Sequence, residues 1–242
     1  MARMRAAIVI LLLVQPLIHP AAAAAQEEHP LTVGSLDDRD GVNVLGVVTD
    51  SLKLLMIEHG TRIAFQEKTR RELGGNFWRD YRKSVRVPGQ WGDTDAWWVN
   101  YIGHPVHGAA AGYIWLDHDP NAPSGGFGRG YWTSRASAMA WAASYSLQFE
   151  VGPLSEASIG NVGMRPETTG WVDHIVTPTG AFGLLVAEDA LDRYVVRFVE
   201  GRVRNSFARG ALRVALNPGR ALANASGGRM PWYRADRSLG WR

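Results

Sequence analysis

Two short segments of the chain place polar side chains and a proline inside apolar sequence. The segment WVNYIGHP covers residues 98–105, and the related segment WVDHIVTP covers residues 171–178. Side chains three or four residues apart lie on the same face of a helix, so each segment presents its polar groups on one side. If the two helices cross, five polar residues meet in one apolar core: Asn100, His104, His107, Asp173 and Thr177.

Such a cluster has to be bonded internally or occupied by a ligand, because an unpaired buried polar group costs roughly 1–3 kcal/mol. Acid–base chemistry suits it. We expect Glu150 and Asp173 to act as acid and base, with His104 between them, since burial raises the pKa of carboxyl groups. The residues expected to bind a substrate or ligand are Asn100, His107, Ser158, Asn161 and Thr177.

A metal site is a weaker interpretation of the same residues. His104, His107 and Asp173 supply two imidazoles and a carboxylate, a set that zinc or iron accepts. The His-x-x-His spacing is short and common, however, so the sequence assigns neither a metal nor another cofactor to the cluster. Nucleophilic serine chemistry has no support, because no GxSxG motif occurs in the chain.

Both segments end in a proline, which breaks the regular hydrogen bonding of a helix. Pro105 and Pro178 have no N–H to donate to the carbonyl four residues earlier, so we expect each helix to bend and to leave an acceptor free. Glycines that would let the two helices approach closely follow both prolines: Gly108, Gly112, Gly180 and Gly183.

The elements that must position these residues are predicted to be helices. Apolar spacing and capping residues predict helices over residues 52–73, over FWRDYRKS, after the capping candidates 93–95, over 133–149 and from the second proline segment onward. No convincing strand alternation follows residue 50. We therefore predict a mostly α protein, a compact bundle of about four long helices. Two of them are expected to be proline-kinked, with long loops and a short irregular N-terminal lead-in.

Two further expectations concern the surface and the loops. Glu188 and Asp189 begin the amphipathic part of the last long helix and are expected on a solvated face. The connection that starts at Pro153 is long for a compact domain, which predicts a packed or functional loop.

The N-terminal sequence resembles a cleavable secretory signal over residues 1–25. MARMR is basic, AAIVILLLV is a short apolar run, and small residues precede Gln26. We therefore predict an exported protein, periplasmic or peripherally associated with the cell envelope. The chain has no cysteine, so disulfides cannot stabilise it and its core has to be large enough to do so.

Charge divides the remaining chain into a helical core domain over residues 26–200 and a basic tail over residues 201–242. The tail carries nine arginines and one acidic residue, whereas the core domain carries 15 basic and 22 acidic side chains. Such a tail can dock on anionic lipid or on an acidic envelope component. It can equally pair with the acidic core. We expect no nucleic-acid partner.

One set of motifs resembles known families. The order His104-Pro105, Glu150, Ser158-x-x-Asn161, then Asp173 with Thr177-Pro178-x-Gly180, resembles an uncharacterised family of exported bacterial proteins. The layout is more distantly similar to that of the VanZ-like membrane proteins. The resemblance covers roughly residues 95–195 and implies a helical core around a polar cluster at the cell envelope. It implies no particular reaction, and the apolar runs here are shorter than those of VanZ-like proteins.

Two functions remain open at this point. The first is an enzyme or binding protein of the cell envelope whose polar cluster acts on or binds a lipid or glycan. The second is a non-enzymatic structural or docking protein that binds through its arginine-rich tail. A third arrangement, in which residues 96–116 and 174–199 enter a bilayer, is disfavoured by the charges in the second segment, such as Glu188 and Arg193.

Overall fold

Helices of the described residues pack around a centre formed by two of them, α4 and α6. The computed structural model describes residues 41–73, 75–123, 126–160 and 162–239, which belong to one compact unit. The predicted signal peptide over residues 1–25 lies outside the described residues. The helices are α1 (Val44–Phe65), α2 (Glu67–Glu72), α3 (Phe77–Ser84), α4 (His104–Asp117), α5 (Tyr131–Val151), α6 (Trp171–Leu191), α7 (Arg197–Glu200), α8 (Ser206–Leu216) and α9 (Pro218–Ser226).

The prediction of a mostly α bundle is confirmed, and no strand occurs in the part of the chain that the structure describes. The beginning of α1 differs from the prediction. Asn43 caps it, with its side chain accepting a hydrogen bond from Gly46 N at 3.0 Å, so the helix begins at Val44 and not at the predicted residue 52. It also ends earlier than expected, because extended backbone at Gln66 separates α1 from α2.

The two prolines lie in different helical contexts. A π-helical turn over Val99–Gly103 leads directly into α4, and His104 N donates to the carbonyl of Val99. This wider turn places Pro105 in the first turn of α4, where a missing N–H costs little. Pro178 instead lies inside α6.

Close contact between α4 and α6 depends on glycine. A Cβ atom at Gly108 would lie 2.8 Å from both the Cβ of Ala181 and the carbonyl oxygen of Thr177. Gly180 packs in the same way against the ring of Pro105, 2.6 Å from where its Cβ would be. The predicted close approach is therefore found at these positions, whereas a Cβ at Gly183 would meet nothing within 4 Å.

The other helices complete the core around this pair. The buried apolar side chains come from α1, α4, α5, α6 and α9, and include Leu54, Leu55, Ile114, Phe149, Leu185 and Ala223. The long connection after α5 is packed, as predicted. Its residues Glu156 and Ala157 are buried, and their N–H groups donate to the carbonyls of Phe149 and Glu150 at 2.9 and 3.1 Å.

The basic tail folds against the core. Arg213, in α8, is 1 % exposed and forms an ion pair with Glu200. Arg220 and Arg229 both pair with Asp117, at the end of α4. Several tail arginines therefore neutralise acidic residues of the core, which is one of the two arrangements that the sequence left open. No helix of the described residues is long and apolar enough to span a membrane.

Candidate functional site

Three of the residues predicted to carry chemistry meet in the structure. His104 begins α4, Glu150 lies near the end of α5, and Asp173 lies in the first turn of α6. One ligand atom from each lies within 4.8 Å of the other two. Their side chains are buried, with 7 %, 7 % and 5 % of the residue surface exposed. We refer to His104, Glu150 and Asp173 as the triad.

Both nitrogens of the His104 imidazole face side chains of α6. Nδ1 lies 3.1 Å from the hydroxyl oxygen of Thr177, one turn along α6 from Asp173. Nε2 lies 3.3 Å from Oδ1 of Asp173. That contact does not have hydrogen-bond geometry, and Asp173 Oδ1 is buried with no hydrogen-bond partner. A carboxylate oxygen of Asp173 and a ring nitrogen of His104 therefore lie side by side without a hydrogen bond between them.

Two further carboxyl groups lie beside the triad, on the segment that leads into α4. Asp93 accepts a hydrogen bond from the side-chain amide of Asn100 at 2.8 Å and from the N–H of Asp95 at 3.0 Å. Besides burial, the proximity of Asp93 also raises the pKa of Asp173. Asn100 thus orients Asp93 and does not itself join the triad.

Burial and crowding of these acids shift their protonation. Burial, and then the negative charge of Glu150, raise the pKa of Asp173 to about 10. Burial raises the pKa of Glu150 to about 7, although the positive charge of Arg62 opposes that shift. Burial and the neighbouring His107 lower the pKa of His104 to about 3. At neutral pH and with no ion bound, His104 is therefore neutral and Asp173 carries a proton.

The arginine next to these acids, Arg62, already forms an ion pair with another carboxylate. The Arg62 guanidinium forms an ion pair with Glu156 and lies 5.6 Å from the ring centroid of Phe149. Its charge acts on both Glu150 and Asp173. The four carboxyl groups of Asp93, Asp95, Glu150 and Asp173 therefore face an arginine whose charge a fifth carboxylate balances.

His107 belongs to a neighbouring group and not to the triad. Its Nδ1 lies 2.9 Å from a carboxylate oxygen of Glu58, whose other oxygen accepts a hydrogen bond from Tyr145 at 2.8 Å. The ring centroids of His107 and His104 are 6.0 Å apart. The ligand set considered from sequence, His104 with His107 and Asp173, is therefore not the one that the fold assembles; Glu150 takes the place of His107.

The remaining predicted binding residues differ in position. Thr177 contacts His104, as described above. Ser158 bonds within its own loop, because its hydroxyl donates to the carbonyl of Ser155 at 2.7 Å and accepts from Ser155 N at 2.8 Å. Those contacts account for Ser158 as a loop-stabilising residue. Asn161 lies outside the described residues.

An aromatic surface adjoins the triad. Trp91 donates its indole N–H to the Tyr101 hydroxyl at 3.1 Å, and Trp97 stacks on Tyr101 with ring centroids 5.5 Å apart. The carbonyl of Trp91 accepts a hydrogen bond from Val172, the neighbour of Asp173. These aromatic side chains and Trp171 are exposed, Trp97 to 67 %. We call Trp91, Trp97, Tyr101 and Trp171 the aromatic surface.

Sequence reasoning missed several residues that surround the triad. No motif in the sequence indicates a role for Glu58, and Asp93 and Asp95 are predicted only as helix-capping residues. Nothing in their spacing indicates contact with His107 or Asp173, because the contacts join separate helices. Glu188 and Asp189 were wrongly expected on a solvated face. Glu188 is 0 % exposed, and Asp189 accepts hydrogen bonds from Arg135 and Tyr131.

Comparison with known proteins gives no match: no protein family, no curated protein and no solved structure matches this chain. The resemblance to exported bacterial and VanZ-like proteins therefore stays a prediction from the motifs. The functional conclusion rests on the geometry of the site.

Proposed function

We propose that this chain is a metalloprotein that binds one divalent metal ion through His104, Glu150 and Asp173. One observation carries the proposal: a nitrogen and two carboxylate groups from three helices converge within 4.8 Å. Asp173 Oδ1, which lies 3.3 Å from His104 Nε2, is buried without a hydrogen-bond partner. Buried polar atoms are nearly always paired, so an unpaired carboxylate oxygen beside two other ligand groups suits an ion.

The charge around the triad supports a cation. Asp93, Asp95, Glu150 and Asp173 bring four carboxyl groups together, while the nearby Arg62 is paired with Glu156. Buried carboxylates are normally paired with a positive charge or coordinate a metal. A divalent ion at the triad would displace the proton of Asp173 and balance the charge of these carboxylates.

Residues next to the triad hold His104 and Asp93 in fixed directions by hydrogen bonds, as is common around metal ligands. When Nδ1 of His104 carries the proton, it donates to Thr177 and leaves the lone pair of Nε2 directed toward Asp173. Asn100 holds Asp93 beside Asp173 in the same way. Outer residues of this kind fix the tautomer and direction of a metal-binding histidine.

The ligand types indicate the class of ion. One imidazole and two carboxylates suit zinc, manganese or iron(II), and three protein ligands leave at least one position for water. An ion of this class, held by His104, Glu150 and Asp173, would supply a water of lowered pKa for hydrolysis. The aromatic surface supports an envelope lipid or glycan as the substrate, because exposed tryptophan and tyrosine combine an apolar ring with a polar edge.

A second candidate function uses the same residues without an ion. The pKa of Glu150, raised to about 7, suits a proton donor or acceptor near neutral pH, with Asp173 as its partner. This is the acid–base site predicted from the sequence. The two proposals differ in a single measurable property, which is the affinity of the untagged protein for divalent ions.

Isothermal titration calorimetry of untagged, EDTA-treated protein with Zn²⁺ and with Mn²⁺ tests the proposal. We expect one ion per chain, and at least about 100-fold weaker binding in Asp173→Asn and His104→Gln, since each change removes a ligand. The matched control is His118→Gln, because His118 contacts Asp50 and lies outside the triad. His107→Gln is expected to keep the ion site, because His107 bonds Glu58.

Failure of the wild-type protein to bind either ion would overturn the metal proposal and favour the acid–base alternative. Equal affinity in the wild-type, Asp173→Asn and His104→Gln proteins would place the ion elsewhere. Circular dichroism of each variant verifies that a loss of binding does not reflect loss of the helical fold.

A further inference from the structure

A second polar region lies at the other end of α4 and α6, where the tail packs on the core. The residues of this region line a cavity of about 620 Å³ that is open on one side. Glu188 lies in this region and is 15 residues from Asp173 along α6, which separates the two regions by about 22 Å at 1.5 Å per residue. The cavity is lined by six arginines: Arg135, Arg193, Arg197, Arg220, Arg229 and Arg234.

Arginine donors outnumber carboxylate acceptors in this cavity. The carboxylate of Asp117 is shared by two guanidinium groups, with Arg220 Nη1 at 2.7 Å from one oxygen and Arg229 on the other. Asp192 is shared in the same way by Arg234 and Arg237. Arg237 also pairs with Glu200, so the sharing of Asp192 leaves no charge unbalanced, whereas Asp117 balances only one of its two arginines. Over the whole lining, six arginines face five acidic residues: Asp117, Glu188, Asp189, Asp192 and Asp236.

The buried acid of the cavity, Glu188, is hydrogen-bonded to backbone. Both carboxylate oxygens of Glu188 accept backbone N–H groups at the start of α9, from Gly219 at 2.8 Å and from Arg220 at 3.1 Å. Glu188 therefore holds the tail helix in place. Its oxygens are not directed at the guanidinium groups of Arg220 or Arg229.

Two of the arginines, Arg220 and Arg229, lie against tyrosine rings. The guanidinium of Arg220 lies 4.0 Å from the ring centroid of Tyr113, and that of Arg229 lies 5.4 Å from the ring centroid of Tyr233. Stacking fixes the plane of an arginine and leaves its N–H edge for another acceptor. Consistent with this, Nε of Arg229 is buried and has no hydrogen-bond partner.

We propose that this cavity binds a phosphate monoester. Paired, stacked guanidinium groups match the geometry of phosphate oxygens, and the volume falls in the range of small-molecule sites. The group could be carried by a soluble metabolite or by a lipid headgroup, and both present the same dianionic phosphate. This inference is independent of the proposed metal site, because it uses none of the triad residues.

The experiment measures binding of sn-glycerol 3-phosphate to the full chain by calorimetry at low salt. In parallel, the protein is sedimented with phosphatidylcholine vesicles with and without phosphatidic acid. We expect saturable binding of at least one probe, weakened about tenfold by Arg229→Gln, since this change removes charged hydrogen bonds. Arg204→Gln is the matched control, because Arg204 is an exposed tail arginine that does not line the cavity.

A second variant covers the case in which Arg229→Gln disturbs folding. Ala235 is exposed and lines the cavity, so Ala235→Trp fills the space without altering the core. It is expected to abolish binding while the thermal unfolding curve stays unchanged. Binding of glycerol 3-phosphate alone identifies a soluble ligand, and sedimentation with phosphatidic acid alone identifies a headgroup; either supports the proposal.

Two results would overturn it. One is that neither probe binds the wild-type protein. The other is that Arg229→Gln and Ala235→Trp bind as tightly as Arg204→Gln, which would mean that general positive charge and not the cavity attracts phosphate.

Discussion

At the residue scale, Asp173 is the buried acid on which the proposed chemistry of the site depends most. It is buried at the start of α6 beside His104, Glu150 and Asp93, and one of its oxygens has no hydrogen-bond partner. A carboxylate in such a place is costly unless a cation or a proton balances it. In the metal-free protein a proton balances Asp173, and under the proposed function a metal ion takes its place.

The substitution Asp173→Asn separates these contributions. Asparagine keeps the shape of the side chain and, like the protonated Asp173 of the metal-free protein, carries no charge, so we expect the EDTA-treated variant to unfold within about 1 kcal/mol of the wild-type protein. Excess Zn²⁺ should stabilise the wild-type protein by about 2.7 kcal/mol at 100 times the dissociation constant, and should not stabilise the variant. Thermal unfolding with and without Zn²⁺ measures both quantities. An EDTA-treated variant that does not fold would show that Asp173 is required for structure.

Glu188 gives a pH-dependent prediction at the same scale. Burial raises its pKa to about 7, against the opposing backbone hydrogen bonds from Gly219 and Arg220 and the charges of Arg220 and Arg234. A raised carboxyl pKa means that the folded state keeps a proton that the unfolded state has lost. Glu188 therefore lowers the free energy of unfolding as pH rises from about 4.5 to about 7.

The variant Glu188→Gln cannot titrate, so it should lack this part of the pH dependence. We expect the stability difference between the wild-type protein and the variant to change by a few kcal/mol across this pH range. Urea unfolding at pH 5, 6, 7 and 8 provides the comparison. A difference that is constant with pH would show that Glu188 keeps an ordinary pKa in the fold.

At the scale of elements, the approach of α4 to α6 sets the distances within the triad. Gly108 allows the two backbones to meet, and the next contact along α6 is Thr177, which bonds His104. A displacement of α6 at this point therefore moves Thr177 and Asp173 relative to His104. The geometry of the site therefore depends on how closely α4 and α6 pack.

The substitution Gly108→Ala tests this dependence. The added Cβ would lie 2.8 Å from Ala181 and from the backbone of Thr177, so we expect a loss of about 1–3 kcal/mol from overpacking. Alanine favours a helix over glycine by about 1 kcal/mol, and the loss should exceed that gain. Gly183→Ala is the control, because its Cβ would meet nothing within 4 Å and should be neutral or stabilising. Chemical unfolding of both variants decides, and equal stabilisation would refute close packing at Gly108.

Some elements were predictable from local sequence and others were not. The apolar spacing that predicted α5 and α6 reflects local geometry, and the polar spacing of His104 with Asp173 and Thr177 anticipated part of the triad. The predicted start of α1 at residue 52 is wrong because Asn43 caps the helix eight residues before Ser51. The burial of Glu188 was missed because its donors lie 31 and 32 residues further along the chain.

At the scale of the whole molecule, arginines of the basic tail form ion pairs with acidic residues of the core domain. The tail contributes α8 and α9, whose arginines bond acidic residues at the ends of α4 and α7. Sequence alone could not decide between this pairing and docking on a partner, because both use the same charges. The fold decides it for Arg213, which is buried against Glu200 and also donates to the carbonyl of Trp232 at 2.9 Å.

Removing that buried partner should therefore destabilise the whole molecule. We expect Arg213→Ala to lower the free energy of unfolding by about 3–5 kcal/mol, since it leaves Glu200 buried with fewer partners. The exposed tail arginine Arg204, changed to alanine, should alter stability by about 0.5 kcal/mol or less. Urea unfolding monitored by circular dichroism compares the two. Similar small effects in both variants would mean that the tail is not an integral part of the fold.

The most direct test of the proposed metal site is anomalous X-ray diffraction from crystals grown with Zn²⁺ or Mn²⁺. The proposal predicts one strong anomalous peak about 2.0–2.2 Å from His104 Nε2 and from a carboxylate oxygen of both Glu150 and Asp173. The peak should be absent in crystals of Asp173→Asn. A wild-type map without a peak at the triad, or with its strongest peak at other residues, would contradict the claim that this cluster binds a metal ion.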